Sequence, residues 1–182
     1  MRRFGVVLGV LLAAGLLAEP AAAGRQRSLV IVTRDASVTR IGTFRPSENP
    51  RLSAAIRAFG RPSSRRGSGD TSCRVHWSRL GLRMLFVNLG APGRSACGRS
   101  VGKAQSFTAR GSRFRTVAGL RVGMPSSEVR ARHPRARHAV GAWTLVRARS
   151  PYGDGTEIPV LRAFTKDGTV TVLAGWIGGA GD

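Results

Sequence analysis

Acidic side chains are scarce in this sequence. Nine Asp and Glu residues stand against 30 Lys and Arg residues, which gives the 182-residue chain a formal net charge of +21. All but two of the basic residues (Lys103 and Lys166) are arginine. This ratio, together with abundant Ala and Gly, is typical of a GC-rich genome rather than of selection for one ligand. The scarcity of carboxylates leaves no obvious pair for general acid–base catalysis.

Enzyme motifs are also missing. The segment Gly93–Cys97 approaches a Gly-x-Ser-x-Gly nucleophile elbow but ends in cysteine. No glycine-rich phosphate-binding loop follows a strand candidate. His133 and His138 flank Pro134 at an arginine-rich helix end, where basic side chains interact favourably with the helix dipole. We therefore predict no catalytic residue and no cofactor site, and keep a secreted enzyme of unknown chemistry as a remote alternative.

Long hydrophobic runs are confined to the N-terminus. Arg2 and Arg3 precede an uncharged apolar run at residues 4–18, and small residues follow. This layout is typical of a secretory signal peptide at residues 1–23, cleaved between Ala23 and Gly24. The run is shorter than the ~20 residues that span a bilayer. We predict a mature chain without a transmembrane segment, either secreted or retained in the cell envelope.

Cysteine is limited to Cys73 and Cys97. An even pair in an exported chain predicts one disulfide, which the loop-entropy model values at about 3 kcal/mol. The alternative is a metal site of both cysteines and His76, but it lacks a fourth ligand. Residues 73 and 76 would also point to opposite faces of a strand. We therefore predict the disulfide and no metal site.

Aromatic residues make up only 6% of the chain. We assign Trp77, Trp143 and Trp176 to the core. The arginines are scattered, with no run longer than Arg65-Arg66, whereas a specific nucleic-acid binder would cluster basic side chains with aromatics on one face. We therefore predict no specific nucleic-acid partner, although the net charge gives a background attraction to polyanions.

A recurring order of elements is present instead. Pro50 and Pro125 each open a helix candidate, and Pro62 and Pro134 follow the helix ends. Three strand candidates follow each helix: Cys73–Trp77, Leu82–Leu89 and Gln105–Ala109 in the first half, and Ala142–Ala148, Val160–Phe164 and Thr169–Trp176 in the second. The sequence predicts an α+β fold of two repeated units. Each unit is a short helix followed by a three-stranded antiparallel meander, with the helices packed on the sheet.

The two units divide the chain into two modules. Residues 24–110 form the first, which adds an N-terminal hairpin at residues 29–41 and the disulfide. Residues 111–182 form the second, which closes on a hairpin with a tight turn at Asp167-Gly168. Between the first helix and its strands, residues 61–72 are small, polar and basic, and we expect a flexible loop there.

The strand candidate at residues 73–77 alternates between apolar and polar side chains. Val75 and Trp77 point to one face, and Arg74 and His76 point to the other. Because the apolar side chains belong in the core, Arg74 and His76 form the candidate partner-binding face.

The second half resembles a known family. Phe114–Val129 is similar to the entry motif of SmpA/OmlA-type (BamE-like) modules and of secreted β-lactamase inhibitory proteins: an aromatic residue, a Val-Gly-Met-Thr-like helix start and Val in the next turn. Pro125 stands in place of the Thr. Leu161–Val170 resembles their closing hairpin, where an aromatic residue precedes an Asp-Gly turn. The inhibitory proteins are exported tandem repeats with disulfides, so the resemblance implies a small α+β scaffold that presents a sheet to a partner.

The leading hypothesis is a secreted, non-enzymatic interaction module that binds a protein or cell-envelope partner through one sheet face. The alternative is a cationic envelope protein that binds wall or lipid polyanions by charge alone.

Overall fold

The computed structural model describes residues 28–150 and 154–178. The predicted signal peptide and its cleavage site at Ala23 and Gly24 lie outside these residues. The described chain folds, in order, as β1 (Leu29–Arg34), β2 (Ser37–Ile41), α1 (Leu52–Phe59), β3 (Ser64–Ser68), β4 (Ser72–Trp77), β5 (Leu82–Val87), β6 (Lys103–Ala109), β7 (Phe114–Thr116), α2 (Ser127–Arg132), β8 (Arg137–Ala139), β9 (Ala142–Arg149), β10 (Glu157–Lys166) and β11 (Thr169–Trp176).

Eight of the strands form one antiparallel sheet in the order β3-β4-β5-β6-β11-β10-β9-β8. Two four-stranded meanders therefore meet where β6 pairs with β11, from Leu173 opposite Ala109 to Trp176 opposite Ser106. A second sheet has the order β2-β1-β7, and its β1 and β7 run parallel. Strands from both halves of the chain thus share one continuous sheet.

The predicted fold class is wrong. The molecule is mostly β, with 48% strand and 11% helix, and it is not a pair of helix-plus-meander repeats packed on a sheet. Four strands of the large sheet rather than three follow each helix, because the sequence pattern missed β3 and β8. Every residue of these two edge strands is exposed. Strands without a buried face show no apolar alternation, so backbone pairing alone defines them.

The helices are shorter than the sequence predicts. The first begins at Leu52 rather than Pro50, and the side chain of Asn49 accepts a hydrogen bond from the backbone N–H of Arg51 in the turn before it. The second begins at Ser127, because Pro125 instead forms an isolated bridge with Thr169 of β11. Neither helix is long and apolar enough to cross a membrane, in the part of the chain that the structure describes.

One core joins the large sheet to a second layer made of α1, α2 and the small sheet. Phe59 of α1 packs edge-on against the buried Trp77 of β4, with 5.5 Å between ring centroids. Val38 of β2 packs over Gly175 of β11. A Cβ at Gly175 would lie 2.9 Å from Val38 Cγ2 and 2.5 Å from Phe107 Cε1, so only glycine lets these side chains approach the strand. The second layer therefore covers one face of the large sheet along both meanders.

The disulfide between Cys73 and Cys97 is confirmed, with the two Cα atoms 5.1 Å apart. It ties β4 to the loop between β5 and β6. The N-terminal hairpin is confirmed as β1 and β2. The turn at Asp167-Gly168 is also confirmed, with positive φ at both residues as a type I′ hairpin requires.

Candidate functional site

The face of the large sheet opposite the second layer carries both residues predicted for partner binding. We call it the open face. In β4 the inward Cys73, Val75 and Trp77 are buried, whereas Arg74 is exposed and His76 is partly exposed. The two-residue period of a strand places Arg74 and His76 together on the open face.

A line of paired residues crosses the open face through all eight strands. Each member lies directly opposite the next in strand register, so all of their side chains share this face. We call this line the cationic row. It consists of Ser64, His76, Arg83, Thr108, Ala174, Arg162, Thr144 and Arg137. The row holds three arginines, one histidine and three hydroxyls, and it contains neither a carboxylate nor a large apolar side chain.

The neighbouring line of residues shows the opposite character. It runs through Arg65, Val75, Met84, Phe107, Gly175, Leu161 and Val146. Val75, Met84, Phe107 and Leu161 are at most 2% exposed, and no member of the cationic row is buried. The alternation of the strands thus separates the apolar core face from the open face that carries the cationic row.

Two more arginines lie beside the row. Arg66 on β3 and Arg74 on β4 are directly opposite each other, and both are exposed. Like charges directly opposite one another in a sheet are destabilising. The four ion pairs found among the described residues involve Arg34, Arg45, Arg132 and Arg147. Arg147 lies on the open face of β9, between Val146 and Ala148 that pack against the core, but none of these pairs involves Arg66, Arg74 or an arginine of the row. The repulsion between Arg66 and Arg74 is therefore not offset within this part of the protein.

These arginines border a depression of about 770 Å³ over β3 to β6. Its lining includes Arg66, Arg74, Arg83 and His76, together with the hydroxyls of Ser64, Ser68, Ser72, Ser106 and Thr108. Guanidinium groups and hydroxyls are donors to anionic oxygens. The lining also includes the apolar Val75, Met84, Leu85 and Phe107, of which only Leu85 is not buried. The exposed donors therefore suit the depression to an anion.

Arg162 on β10 is the arginine of the row nearest the centre of the second meander. Its guanidinium carbon lies 4.9 Å from the centre of the Phe164 ring, a cation–π arrangement. Its Nε is shielded from solvent and has no hydrogen-bond partner among the described residues. Phe164 itself covers Ala142 and Val172, which lie opposite it on the two neighbouring strands. The stacked ring holds the Arg162 side chain against the sheet.

Among the described residues, no side-chain hydrogen bond joins His76 to a hydroxyl of the depression. Ser64 lies opposite His76 in the register, yet the hydrogen bonds of the described residues join Ser63, not Ser64, to a neighbour, Ser78. No carboxylate is among the residues that line the depression. The described residues also contain no group of three or more His, Cys, Asp or Glu that could hold a metal ion.

The other two histidines lie away from the open face. The Nε2 of His133, at the end of α2, is 2.9 Å from Oγ1 of the buried Thr116, and burial lowers the pKa of His133. The ring of His138 lies 4.7 Å from that of Trp143. Trp143 is only partly buried, beneath His138 and Arg130.

Sequence reasoning found two members of this face and missed the rest. Local alternation in β4 was enough for Arg74 and His76. Arg83 lies opposite His76 through the pairing of β4 with β5, whereas Arg162 joins them only through the pairing of β6 with β11, which no local pattern signals. The assignment of Trp176 to the core was wrong, because this residue lies opposite Ser106, next to Thr108 of the row, and is only partly buried.

Comparison with known proteins found no match for this chain among family models, curated proteins or solved structures. The resemblance to BamE-like modules and β-lactamase inhibitory proteins therefore stays a prediction.

Proposed function

We propose that this chain is a secreted, non-enzymatic interaction module that binds a protein or cell-envelope partner through its open face. The observation that supports this most directly is the contrast between the two faces of the large sheet. One face is closed by the second layer, and the other presents the cationic row without any carboxylate in it.

The energetics of the face support a negatively charged partner. Arg66 and Arg74 repel each other across β3 and β4, and no acid of the described chain is paired with them. Anionic groups of a partner would turn this repulsion into attraction, since charge-assisted hydrogen bonds to guanidinium are among the stronger polar contacts. Export is supported by the disulfide, because such bonds persist mainly in oxidising compartments.

A pair of matched double variants tests this function. Arg66→Ser/Arg74→Ser removes two charges from the open face. Arg57→Ser/Arg65→Ser removes the same two charges from exposed positions on α1 and on the opposite side of β3. Residues 24–182 of each protein, with the disulfide formed, are immobilised and incubated with secreted and envelope fractions of the source organism. The columns are then washed at low and at high salt.

We expect the unaltered protein to retain a discrete partner at high salt. The open-face variant should retain about a tenth of it or less, because two charge-assisted contacts are lost, and the matched control should retain nearly all of it. Thermal melting of both variants checks that the fold is intact. Retention that does not differ between the two variants would contradict binding through the open face.

The net charge of +21 favours a second candidate, a cationic envelope protein that binds wall or lipid polyanions by charge alone. In that case both double variants should lose binding equally, and all bound material should leave in the high-salt wash.

A further inference from the structure

We propose that the cationic row binds a linear phosphate polymer without bases, laid across the strands of the large sheet. This inference rests on the proposed function, since it names the ligand class of the same open face.

The dimensions of the row suit an extended chain. Neighbouring strands of a sheet lie about 4.8 Å apart, so Arg83 and Arg162, separated by three such steps, have Cα atoms about 14 Å apart. Seven steps separate Ser64 from Arg137, about 34 Å in all. Only Thr108 and Ala174 lie between Arg83 and Arg162, and their short side chains leave the path between these arginines open. A polymer perpendicular to the strands therefore meets cations in both meanders.

The chemistry of the row favours phosphate over carboxylate. Arg66, Arg74 and Arg83 lie on three consecutive strands and border the same depression. A linear phosphate polymer carries one charge on every unit of its backbone, whereas an acidic polypeptide carries its carboxylates at the ends of flexible side chains. Less side-chain freedom is therefore lost when consecutive phosphates pair with these guanidinium groups. The hydroxyls of Ser64, Thr108 and Thr144 alternate with the cations along the row and can donate to the remaining oxygens.

Other anionic partners fit the row less well. The centre of a protein interface is enriched in aromatic and apolar side chains, and the row has none larger than Ala174. Proteins that bind single-stranded nucleic acid stack successive bases on a series of aromatic rings. The row contains no Phe, Tyr or Trp, and the two rings beside it stand apart: Phe164, whose face the Arg162 guanidinium covers, and Trp176, opposite Ser106. A planar membrane surface would not reach the bottom of the depression over β3 to β6.

Calorimetric titration with defined anions tests the inference. Residues 24–182, with the disulfide formed, are titrated with long-chain inorganic polyphosphate and with triphosphate, which is too short to span the row from Ser64 to Arg137. Poly-L-glutamate of similar length and a single-stranded oligonucleotide serve as the two other classes of polymer. We expect the long phosphate chain to bind about 100-fold more tightly than triphosphate, because one chain occupies several sites. It should also bind more tightly than the other two polymers.

A second pair of matched variants locates the site. Arg83→Gln/Arg137→Gln changes two exposed members of the row on β5 and β8, and Arg57→Gln/Arg65→Gln removes the same charge elsewhere. The row variant should bind polyphosphate about tenfold or more weakly, and the slope of log K against log salt should fall by about two. The control should stay within about twofold, because Arg57 lies on α1 and the side chain of Arg65 is on the opposite side of β3 from the row.

Each alternative result overturns the inference. Equal losses in the two variants would mean that net charge alone attracts the polymer. Equal affinity for triphosphate would exclude a chain that spans the row. If poly-L-glutamate binds as tightly as polyphosphate, the ligand of the row is an acidic protein segment and not a phosphate polymer. If the oligonucleotide does so, the ligand is a nucleic acid. If polyphosphate fails to bind while the captured partner still depends on Arg66 and Arg74, only the ligand class is wrong and the proposed function stands.

Discussion

At the scale of single residues, the burial of His133 beside Thr116 makes stability depend on pH. The backbone N–H of Leu120 donates to Thr116 Oγ1 at 3.2 Å, and the same hydroxyl lies 2.9 Å from His133 Nε2. Burial disfavours the charged imidazole, so the pKa of His133 in the folded protein is lower than its ordinary value of 6.5. The unfolded chain therefore binds a proton more readily than the folded protein does.

We expect the free energy of unfolding to fall as the pH drops from about 6.5 through the lowered pKa of His133 in the folded state. Above that range the neutral ring is present in both states, and His133 makes no pH-dependent contribution. His133→Gln should abolish this part of the pH dependence, and the matched control His138→Gln should retain it. Urea denaturation between pH 5 and pH 7.5 measures both. An unchanged pH slope in His133→Gln would contradict the assignment.

At the scale of elements, the turn between β8 and β9 contains a residue that is unfavourable for its backbone conformation. Val140 has φ = 25° and Gly141 has φ = 68°, between the paired Ala139 and Ala142. Positive φ at both central residues is typical of a type I′ turn, which favours Asn-Gly. The Val140 side chain is fully exposed, so no packing compensates for a conformation that costs a non-glycine residue about 1–2 kcal/mol.

Val140→Asn should therefore raise the free energy of unfolding by about 1 kcal/mol. Val117→Asn is the matched control, because Val117 is also exposed and does not have positive φ. Thermal or urea denaturation of the two variants gives the comparison. An equal gain in both would attribute the effect to the loss of an exposed apolar side chain rather than to the turn.

The same elements show which features the sequence can predict. Asp167-Gly168 and the alternation in β4 are local signals, because a turn type and a two-residue period are read within a few residues. The strands at Ser64–Ser68 and Arg137–Ala139 carry no such signal, since their side chains are all exposed. Missing them changed the predicted fold, because each adds a strand to its meander.

Predicting the cationic row requires the order in which the strands pair, as well as the positions of the strands. Thr108 and Ala174 become neighbours only when the two meanders join through β6 and β11. Antiparallel pairing between distant segments is set by burial of a shared core, here with Val38 and Phe107 against Gly175, and not by local propensity. Arg83 and Arg162 could therefore not be assigned to one site from the sequence, although Arg74 and His76 could be assigned to one face.

At the scale of the whole molecule, the shared sheet and core should make the two halves unfold together. Trp77 lies in the first meander and Trp143 in the second, and both belong to or pack against the same core cluster. The small sheet also contacts both halves, because Val38 of β2 approaches Phe107 and Gly175. Two modules that share a core in this way lose most of their stabilising contacts in one step.

Two single-tryptophan proteins test this cooperativity. One keeps Trp77 and the other keeps Trp143, with the remaining tryptophans replaced by phenylalanine. In each protein, the urea midpoint measured by tryptophan fluorescence should then equal the midpoint measured by far-UV circular dichroism. Fluorescence of Trp143 that changes at lower urea than the circular dichroism, while Trp77 follows it, would show that the second meander unfolds separately. In that case the part of the row that contains Arg162 and Arg137 would unfold while the depression over β3 to β6 stays folded. Ligand binding along the whole row would then be lost at a lower urea concentration than the structure of the first meander.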